Sequence, residues 1–219
     1  MTESVPLSRE RVLRAALRYV DAHGLAALSM HKLGAELGVR AMSLYYHVQN
    51  KDDVLDGLVD VLWSEIDPAA IEVADWRAAT RGLARALREV VHRHPRAAPL
   101  LTTRQVSSAA ALRVYAAYLS ALESAGFERV RALELLRVLI GFGLGYATTE
   151  LNWRTPPAAE PADPPRRMAQ ADTADATIPP DLLTVAADIC RDADTGVHFD
   201  LGVDLLLRGM EQGHPPAEP

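Results

Sequence analysis

Basic and aromatic side chains are concentrated in residues 40–51, RAMSLYYHVQNK. Arg40 and Lys51 carry cationic donors, whereas Tyr45, Tyr46 and His47 carry flat rings with polar tips. Cationic groups neutralise phosphates, and polar side chains of these types donate hydrogen bonds to phosphate oxygens and base edges. The residue types in this segment therefore predict contact with a nucleic acid.

Two short helices joined by a glycine turn are predicted to present these side chains. Ser29 is the predicted N-cap of the first helix, and Gly38 allows a tight turn after it. The second helix is predicted over about 40–46. Leu33 and Leu44 belong to the apolar seam that would hold the two helices together. This pattern is typical of a helix-turn-helix, whose second helix enters the major groove of DNA.

The start of the second helix would face base edges, and the residues after it would face phosphates. We expect Tyr45 to read bases, and we expect His47 and Lys51 to hold phosphates. The residues predicted to contact DNA are Ser29, His31, Arg40, Ala41, Met42, Ser43, Tyr45, Tyr46, His47 and Lys51.

Charge is distributed unevenly along the chain. The 219 residues have a formal net charge of −6, but residues 1–51 contain seven Lys and Arg against four Asp and Glu. A basic N-terminal segment on an acidic body fits a local DNA-contacting surface.

Several classes of protein are excluded by composition. The single cysteine, Cys190, cannot form an internal disulfide framework or a cysteine-rich zinc site. The chain has no apolar run of the roughly 18 residues that a membrane span needs. Its start, MTESVPLSRERVLRAAL, lacks the features of a signal peptide. We therefore expect a cytoplasmic protein that does not contact a membrane.

The dominant periodicity of the chain is helical, and no segment has a convincing strand pattern. The predicted fold is all-α, with an N-terminal three-helix helix-turn-helix domain over 1–52 and a helical ligand-binding and dimerisation domain over 53–219. Residues 154–180 are rich in proline and are predicted to form a mobile loop. The predicted helices are 9–23, 29–37, 40–46, 51–66, 75–94, 107–125, 128–152, 180–193 and 198–212.

The segment LGV…SLYYHVQNKDDVLDGL resembles the DNA-binding domain of the tetracycline-repressor (TetR) family, and the resemblance covers residues 8–65. FDLGVDLLLRGME, residues 199–211, resembles the final helix of that family's C-terminal domain. The resemblance implies a homodimer in which helices 128–152 and 198–212 form a four-helix bundle. It also implies a ligand-responsive transcription regulator, most simply a repressor that a small molecule releases from a palindromic DNA operator.

The same resemblance implies an effector pocket among the C-terminal helices. It places the family's magnesium-ligating histidine at Leu100, which cannot ligate a metal, so we predict no metal and no cofactor. The glutamate that assists through water aligns near Thr149. The residues predicted to line the pocket are Leu100, Thr102, Thr103, Arg104, Tyr115, Tyr118, Tyr146, Thr149, Glu150, Asn152 and His198.

Other candidate features receive simpler interpretations. Gly141, Gly143 and Gly145 follow no strand, so they indicate close helix packing or room for a ligand, and not a nucleotide loop. His92 and His94 are interpreted as a surface pair at a helix end. Four arginines spaced along the helix over 75–94 are interpreted as a solvated face or as partners in intramolecular ion pairs: Arg77, Arg81, Arg85 and Arg88.

Three function classes remain open at this point. The first is a ligand-responsive DNA-binding regulator, and the second is a helical ligand-binding or enzyme domain. The third is an architectural DNA-binding protein without an effector. No HExxH, GxSxG or P-loop motif occurs in the sequence, so we predict that the protein is not an enzyme.

Overall fold

The computed structural model describes residues 6–73, 75–104, 108–154, 179, 181–182 and 195–212. Those residues form an all-α structure with nine α-helices and no strand, which confirms the predicted fold class. Nearly all of the predicted helix at 180–193 and of the predicted loop at 154–180 lies outside the described residues. The helices are α1 (Arg9–His23), α2 (Met30–Glu36), α3 (Ala41–Leu44), α4 (Lys51–Ser64), α5 (Trp76–Arg93), α6 (Leu100–Thr103), α7 (Ala109–Ser124), α8 (Arg129–Arg154) and α9 (Thr195–Gln212).

The helices of the N-terminal domain begin at the capping residues that the sequence predicts. The Ser8 hydroxyl accepts a hydrogen bond from the backbone N–H of Arg11 at 3.2 Å. The Ser29 hydroxyl accepts one from the N–H of Lys32 at 3.3 Å. Asn50 caps α4 in the same way. Each cap satisfies a backbone donor that has no partner inside its helix.

Helix α4 connects the N-terminal domain to the rest of the chain. One side of α4 packs on α1, where a Cβ added to Gly57 would lie only 2.5 Å from a methyl carbon of Leu13. The other side packs on α7, where the rings of Trp63 and Tyr115 meet edge to face at 5.2 Å. The hydrophobic core therefore runs without a break from the N-terminal helices into the C-terminal ones.

The C-terminal helices pack mainly around α5 and α8. Gly143 lets these two helices approach, because a Cβ at this position would lie 3.0 Å from Leu87. Gly202 does the same for α9, because its Cβ would lie 2.4 Å from the ring of Phe142. None of the described helices combines the length and apolar character that crossing a bilayer requires.

The arginines along α5 form intramolecular ion pairs, which was one of the two interpretations of their spacing. Three of them contact acidic residues of α9, and Arg88 contacts Glu150 of α8. These exposed ion pairs run along the contact between α5 and α9. The pairs to α9 are Arg77–Glu211 at 2.7 Å, Arg85–Asp200 at 3.4 Å, and Arg81–Asp204.

Candidate DNA interface and effector-binding region

Helices α2 and α3 meet in the arrangement of a helix-turn-helix. Gly38 lies in the turn with φ +69°, a conformation that side-chain-bearing residues rarely adopt. Gly34 on α2 permits close contact with the second helix, because a Cβ there would lie 2.9 Å from the Val39 carbonyl oxygen and 3.1 Å from the Ala41 nitrogen. The sequence analysis missed the role of Gly34. Its signal was a glycine in the middle of a short helix, where glycine is unfavourable.

One face of α3 and the turn after it is open to solvent. Tyr46 is 88% exposed, Met42 is 72% exposed and Tyr45 is 45% exposed. The buried neighbours Leu44 and Val48 anchor the segment in the core, so these exposed side chains project from a fixed support. Of the other predicted DNA contacts, His31 and Arg40 are exposed, and those that are half-buried are Ser29, Ala41, Ser43, His47 and Lys51.

A contiguous patch of exposed apolar side chains often marks an interaction site. The side chains of Arg40, Tyr46 and Lys51 make no hydrogen bond or ion pair with the described part of the chain, so their donors are available for a ligand. The geometry suits contact with a DNA groove.

The start of α4 is held against this surface by a second set of contacts. Asn50 accepts a hydrogen bond from the N–H of Asp53 at 2.8 Å, and Asp53 accepts one from the N–H of Gln49 at 2.7 Å. Arg9 of α1 binds the same Asp53 carboxylate and donates to the His47 carbonyl at 3.2 Å. The hydrogen bond from Arg9 lowers the pKa of Asp53 below its usual value. Arg9 and Asp53 were not among the predicted site residues.

The first group of predicted pocket residues lies around α6. Leu100 is buried, whereas the Thr102 and Thr103 hydroxyls donate to the Pro99 carbonyl. Arg104 contacts α4: its Nε donates to the Asp56 carboxylate at 2.6 Å, and its guanidinium also contacts Asp52 at 3.2 Å. Arg104 therefore joins the end of α6 to the connecting helix α4.

Two predicted pocket tyrosines lie on α7. Tyr118 is fully buried, and its hydroxyl lies 3.0 Å from the Thr80 hydroxyl, which itself donates to the Trp76 carbonyl at 2.8 Å. Burial raises the pKa of Tyr118 to about 12. Tyr115 is half-buried against Trp63, and burial raises its pKa too. Of the two, only Tyr115 has a ring surface open to a ligand in this conformation.

The remaining predicted pocket residues lie on α8 and α9. Tyr146 packs with Phe142 and Phe199 in an aromatic cluster, with ring centroids 5.6 and 5.7 Å away. His198 is half-buried next to Phe199 in sequence. Thr149 is exposed, and its hydroxyl donates to the Gly145 carbonyl. The side chain of Asn152 lies outside the described residues.

Glu150 is completely buried and fully occupied by ion pairs. Arg88 donates to its two oxygens at 2.7 and 2.9 Å, and His92 Nε2 lies 2.9 Å from Oε2. The same carboxylate raises the pKa of Arg88. Thr149 and Glu150 point in directions about 100° apart around α8, so Thr149 faces solvent while Glu150 faces the interior.

The interpretation of His92 and His94 as a surface pair is wrong. His94 is only 8% exposed, and its ring nitrogens lie 2.8 Å from Asp21 and 2.9 Å from Glu65. His92 contacts the buried Glu150 instead. The error arose because the acidic partners lie far away in the sequence and become neighbours only in the folded chain.

Two family profiles together span most of the chain. The profile described as bacterial regulatory proteins, tetR family, matches residues 12–58, and the profile of the tetracyclin repressor-like C-terminal domain matches residues 68–213. The chain belongs to the TetR family. This TetR-family protein is therefore a ligand-responsive, DNA-binding transcription regulator, which is the first of the three function classes.

Relatives of this TetR-family protein match it over nearly its whole length. An HTH-type transcriptional regulator of Saccharopolyspora erythraea is 31% identical over 205 residues, covering 93% of this chain and 84% of the relative. The class D tetracycline repressor protein of Escherichia coli is 30% identical over 210 residues, covering 94% and 89%. The crystal structure of Streptomyces coelicolor ActR in complex with actinorhodin superposes with a TM-score of 0.76 at 27% identity, covering 96% of this chain and 99% of ActR.

The magnesium site that the resemblance implies does not fit the residues present. Leu100 has no donor atom, and it is buried in the core. Within the described residues, no group of three or more histidine, cysteine, aspartate or glutamate side chains is placed to hold a metal ion.

Proposed function

We propose that this TetR-family protein is a homodimeric repressor that a small apolar molecule releases from a palindromic operator. The observation that carries the proposal is a pair of exposed apolar surfaces on opposite parts of the chain. One is the α3 surface formed by Met42, Tyr45 and Tyr46. The other runs along α8 and α9. Because its target is operator DNA, we propose that the protein acts in the cytoplasm.

The surface along α8 and α9, here called the dimer face, supports the proposed dimer. On α9, Leu201 is 53% exposed and Leu205 is 57% exposed, and on α8, Val138 is 53% exposed. Gly141 and Gly145 continue the stripe on α8, and a Cβ at either position would meet nothing within 4 Å. Apolar side chains beside glycines allow helices of a second copy to approach closely. A two-fold dimer presents two recognition helices to a roughly palindromic site, spaced about 34–36 Å apart for one turn of DNA.

The proposed effector is apolar and needs no metal. The half-buried rings of Phe142, Tyr146 and Tyr115 offer flat apolar surfaces among the C-terminal helices, and the buried Phe199 packs against the first two. Small-molecule pockets are typically lined by such residues with a few polar groups. ActR, whose solved complex contains actinorhodin, supports an organic effector for a chain of this fold.

The DNA-binding part of the proposal can be tested with the DNA upstream of the protein's own gene. Fluorescence anisotropy would measure affinity at several salt concentrations for the wild type, Tyr45→Ala and Lys51→Ala. We expect Lys51→Ala to lower the salt slope by about one unit because one phosphate contact is lost. We expect Tyr45→Ala to cost about 1–3 kcal/mol and to change the preference at one base pair. Arg113→Ala on the exposed surface of α7 is the control.

Wild-type affinity in both Tyr45→Ala and Lys51→Ala would overturn these two assignments.

The effector part is tested by screening small molecules for thermal stabilisation, then measuring operator binding with and without a chelator. A ligand that releases the operator must bind the released state more tightly, and the operator must weaken ligand binding by the same factor. Molecules that stabilise the protein but never alter operator affinity would contradict a regulatory role for the proposed effector site among the C-terminal helices. Release that requires magnesium would contradict the metal-free proposal.

A further inference from the structure

The end of α5 contacts α1 of the N-terminal domain and the connecting helix α4 through one histidine. His94 is the C-cap of α5, and its Nδ1 lies 2.8 Å from an Asp21 oxygen on α1. Its Nε2 lies 2.9 Å from an oxygen of Glu65, the C-cap of α4. His94 therefore joins the C-terminal ends of α1 and α4 to the body of the protein.

Both ring nitrogens of His94 face carboxylate oxygens, and this determines how many protons the site holds. A neutral imidazole has one N–H donor and one lone pair, whereas an imidazolium has two donors. With a neutral ring and two carboxylates, one of the two contacts would place a lone pair against an anionic oxygen. Both contacts are hydrogen bonds only when the trio of His94, Asp21 and Glu65 holds one additional proton.

The charges around His94 would be balanced by one additional proton. Asp21 and Glu65 supply two negative charges, and Arg93 pairs with Glu65 from the α5 side. Protonation therefore brings this group of four side chains to neutrality. Arg96 donates to the backbone carbonyls at the end of α1, where a cation is favourable. The other charged groups that line the adjoining groove of about 930 Å³ are Arg9, Glu10, Arg14, Arg18 and Asp60.

We propose that His94 is a proton-dependent positioning residue that holds the DNA-binding domain in a defined orientation on the body. The linkage has a definite sign. Because both contacts are hydrogen bonds only with the additional proton bound, the contact is stronger at low pH and weaker at high pH. This contact is separate from the one that Arg104 makes with Asp52 and Asp56 on α4.

Two substitutions test whether the contact of His94 with Asp21 and Glu65 depends on the additional proton. In Glu65→Gln, the amide N–H can donate to a neutral His94 ring while the amide oxygen accepts from Arg93. The contact then needs no additional proton. In His94→Gln, one amide cannot donate to both Asp21 and Glu65 along the directions of the imidazole nitrogens. His23→Gln is the matched control, because His23 ends the same helix α1 but packs on Tyr19, with ring centroids 4.6 Å apart.

The experiment measures the distance between the two domains by electron spin resonance of a pair of spin labels. The labels are attached at Ala35→Cys on α2 and Ser120→Cys on α7, both exposed positions, in a Cys190→Ser background. An excess of unlabelled protein isolates pairs within one chain. Distances and melting temperatures are compared at about pH 6 and about pH 8.5, which bracket the usual titration range of histidine.

We expect the distance distribution of the wild type and of His23→Gln to broaden at the higher pH. The distance distribution of Glu65→Gln should stay narrow at both pH values, and that of His94→Gln should be broad at both. The melting temperature of the wild type should fall relative to that of Glu65→Gln as pH rises. If His94→Gln does not fold, the comparison of wild type with Glu65→Gln decides alone. Equal pH dependence in those two proteins, or none in the wild type, would overturn the proposal.

Discussion

The Arg9 guanidinium binds the Asp53 carboxylate with both terminal nitrogens, Nη1 to Oδ2 at 2.9 Å and Nη2 to Oδ1 at 2.6 Å. This bidentate pair joins the first turns of α1 and α4 directly beneath the segment that follows the recognition helix. Asp53 also accepts a hydrogen bond from the Gln49 N–H, which precedes the N-cap Asn50. One carboxylate thus helps to position the proposed DNA-contacting surface.

We predict that Asp53→Asn lowers the free energy of unfolding by about 1 kcal/mol at neutral pH, since the ion pair with Arg9 and the hydrogen bond from the Gln49 N–H are weakened. The pKa of Asp53 is lowered in the folded protein by the Arg9 hydrogen bond. Its contribution is therefore fully present above the unfolded value of about 4 and is lost as pH falls through the lowered folded value. The free energy of unfolding, measured with urea between about pH 2 and pH 7, should fall less steeply toward acid pH in the variant than in the wild type. Glu10→Gln breaks an exposed pair with Arg14 and serves as the control. Its free energy of unfolding should depend on acid pH as that of the wild type does.

We predict that Gly34→Ala destabilises the helix-turn-helix by about 1–3 kcal/mol, because the new methyl group would press on the backbone of Val39 and Ala41. Operator affinity should fall as the recognition helix shifts. Gly82→Ala is the control: its Cβ would lie 3.4 Å from the Ala70 carbonyl, an ordinary contact, and alanine favours the helix interior. Thermal unfolding and operator binding of both variants test the prediction. A Gly34→Ala protein with wild-type stability would show that the contact is easily relaxed.

Two leucines with nearly equal exposure test the proposed dimer face. Leu205 on α9 is 57% exposed and Leu112 on α7 is 58% exposed in the single chain. If the protein dimerises through α8 and α9, Leu205→Asp buries an unpaired charge in the interface and should give monomers, whereas Leu112→Asp should not. Sedimentation at micromolar concentration measures the outcome. A wild-type monomer, or equal behaviour of the two variants, would contradict the proposed interface.

Glu150→Gln should lower the free energy of unfolding by about 3 kcal/mol, because Arg88 and His92 would lose a buried anionic partner. Glu134→Gln is the control, since the pair that Glu134 forms with Arg131 is exposed and should be worth less than about 1 kcal/mol. Chemical denaturation of both variants gives the comparison. Similar losses in the two proteins would mean that burial adds little to the strength of the Glu150 cluster.

The sequence alone was sufficient for the features that depend on near neighbours. Helix periodicity and the caps at Ser8, Ser29 and Asn50 act within one turn, and they predicted the bounds of the N-terminal helices to within a few residues. The motif around Tyr45 and Tyr46 also depends on adjacent residues, so the family resemblance was visible and is confirmed.

Only the tertiary structure decided which distant charges meet. His94 lies 73 residues from Asp21 and 29 from Glu65 in the sequence, and Glu150 lies 62 residues from Arg88. No local pattern distinguishes these side chains from solvated ones, because a charge on a helix face looks the same in sequence whether water or another helix covers it. Helix packing removes that water, and the cost of leaving a charge without a partner then requires the pairing that the structure shows.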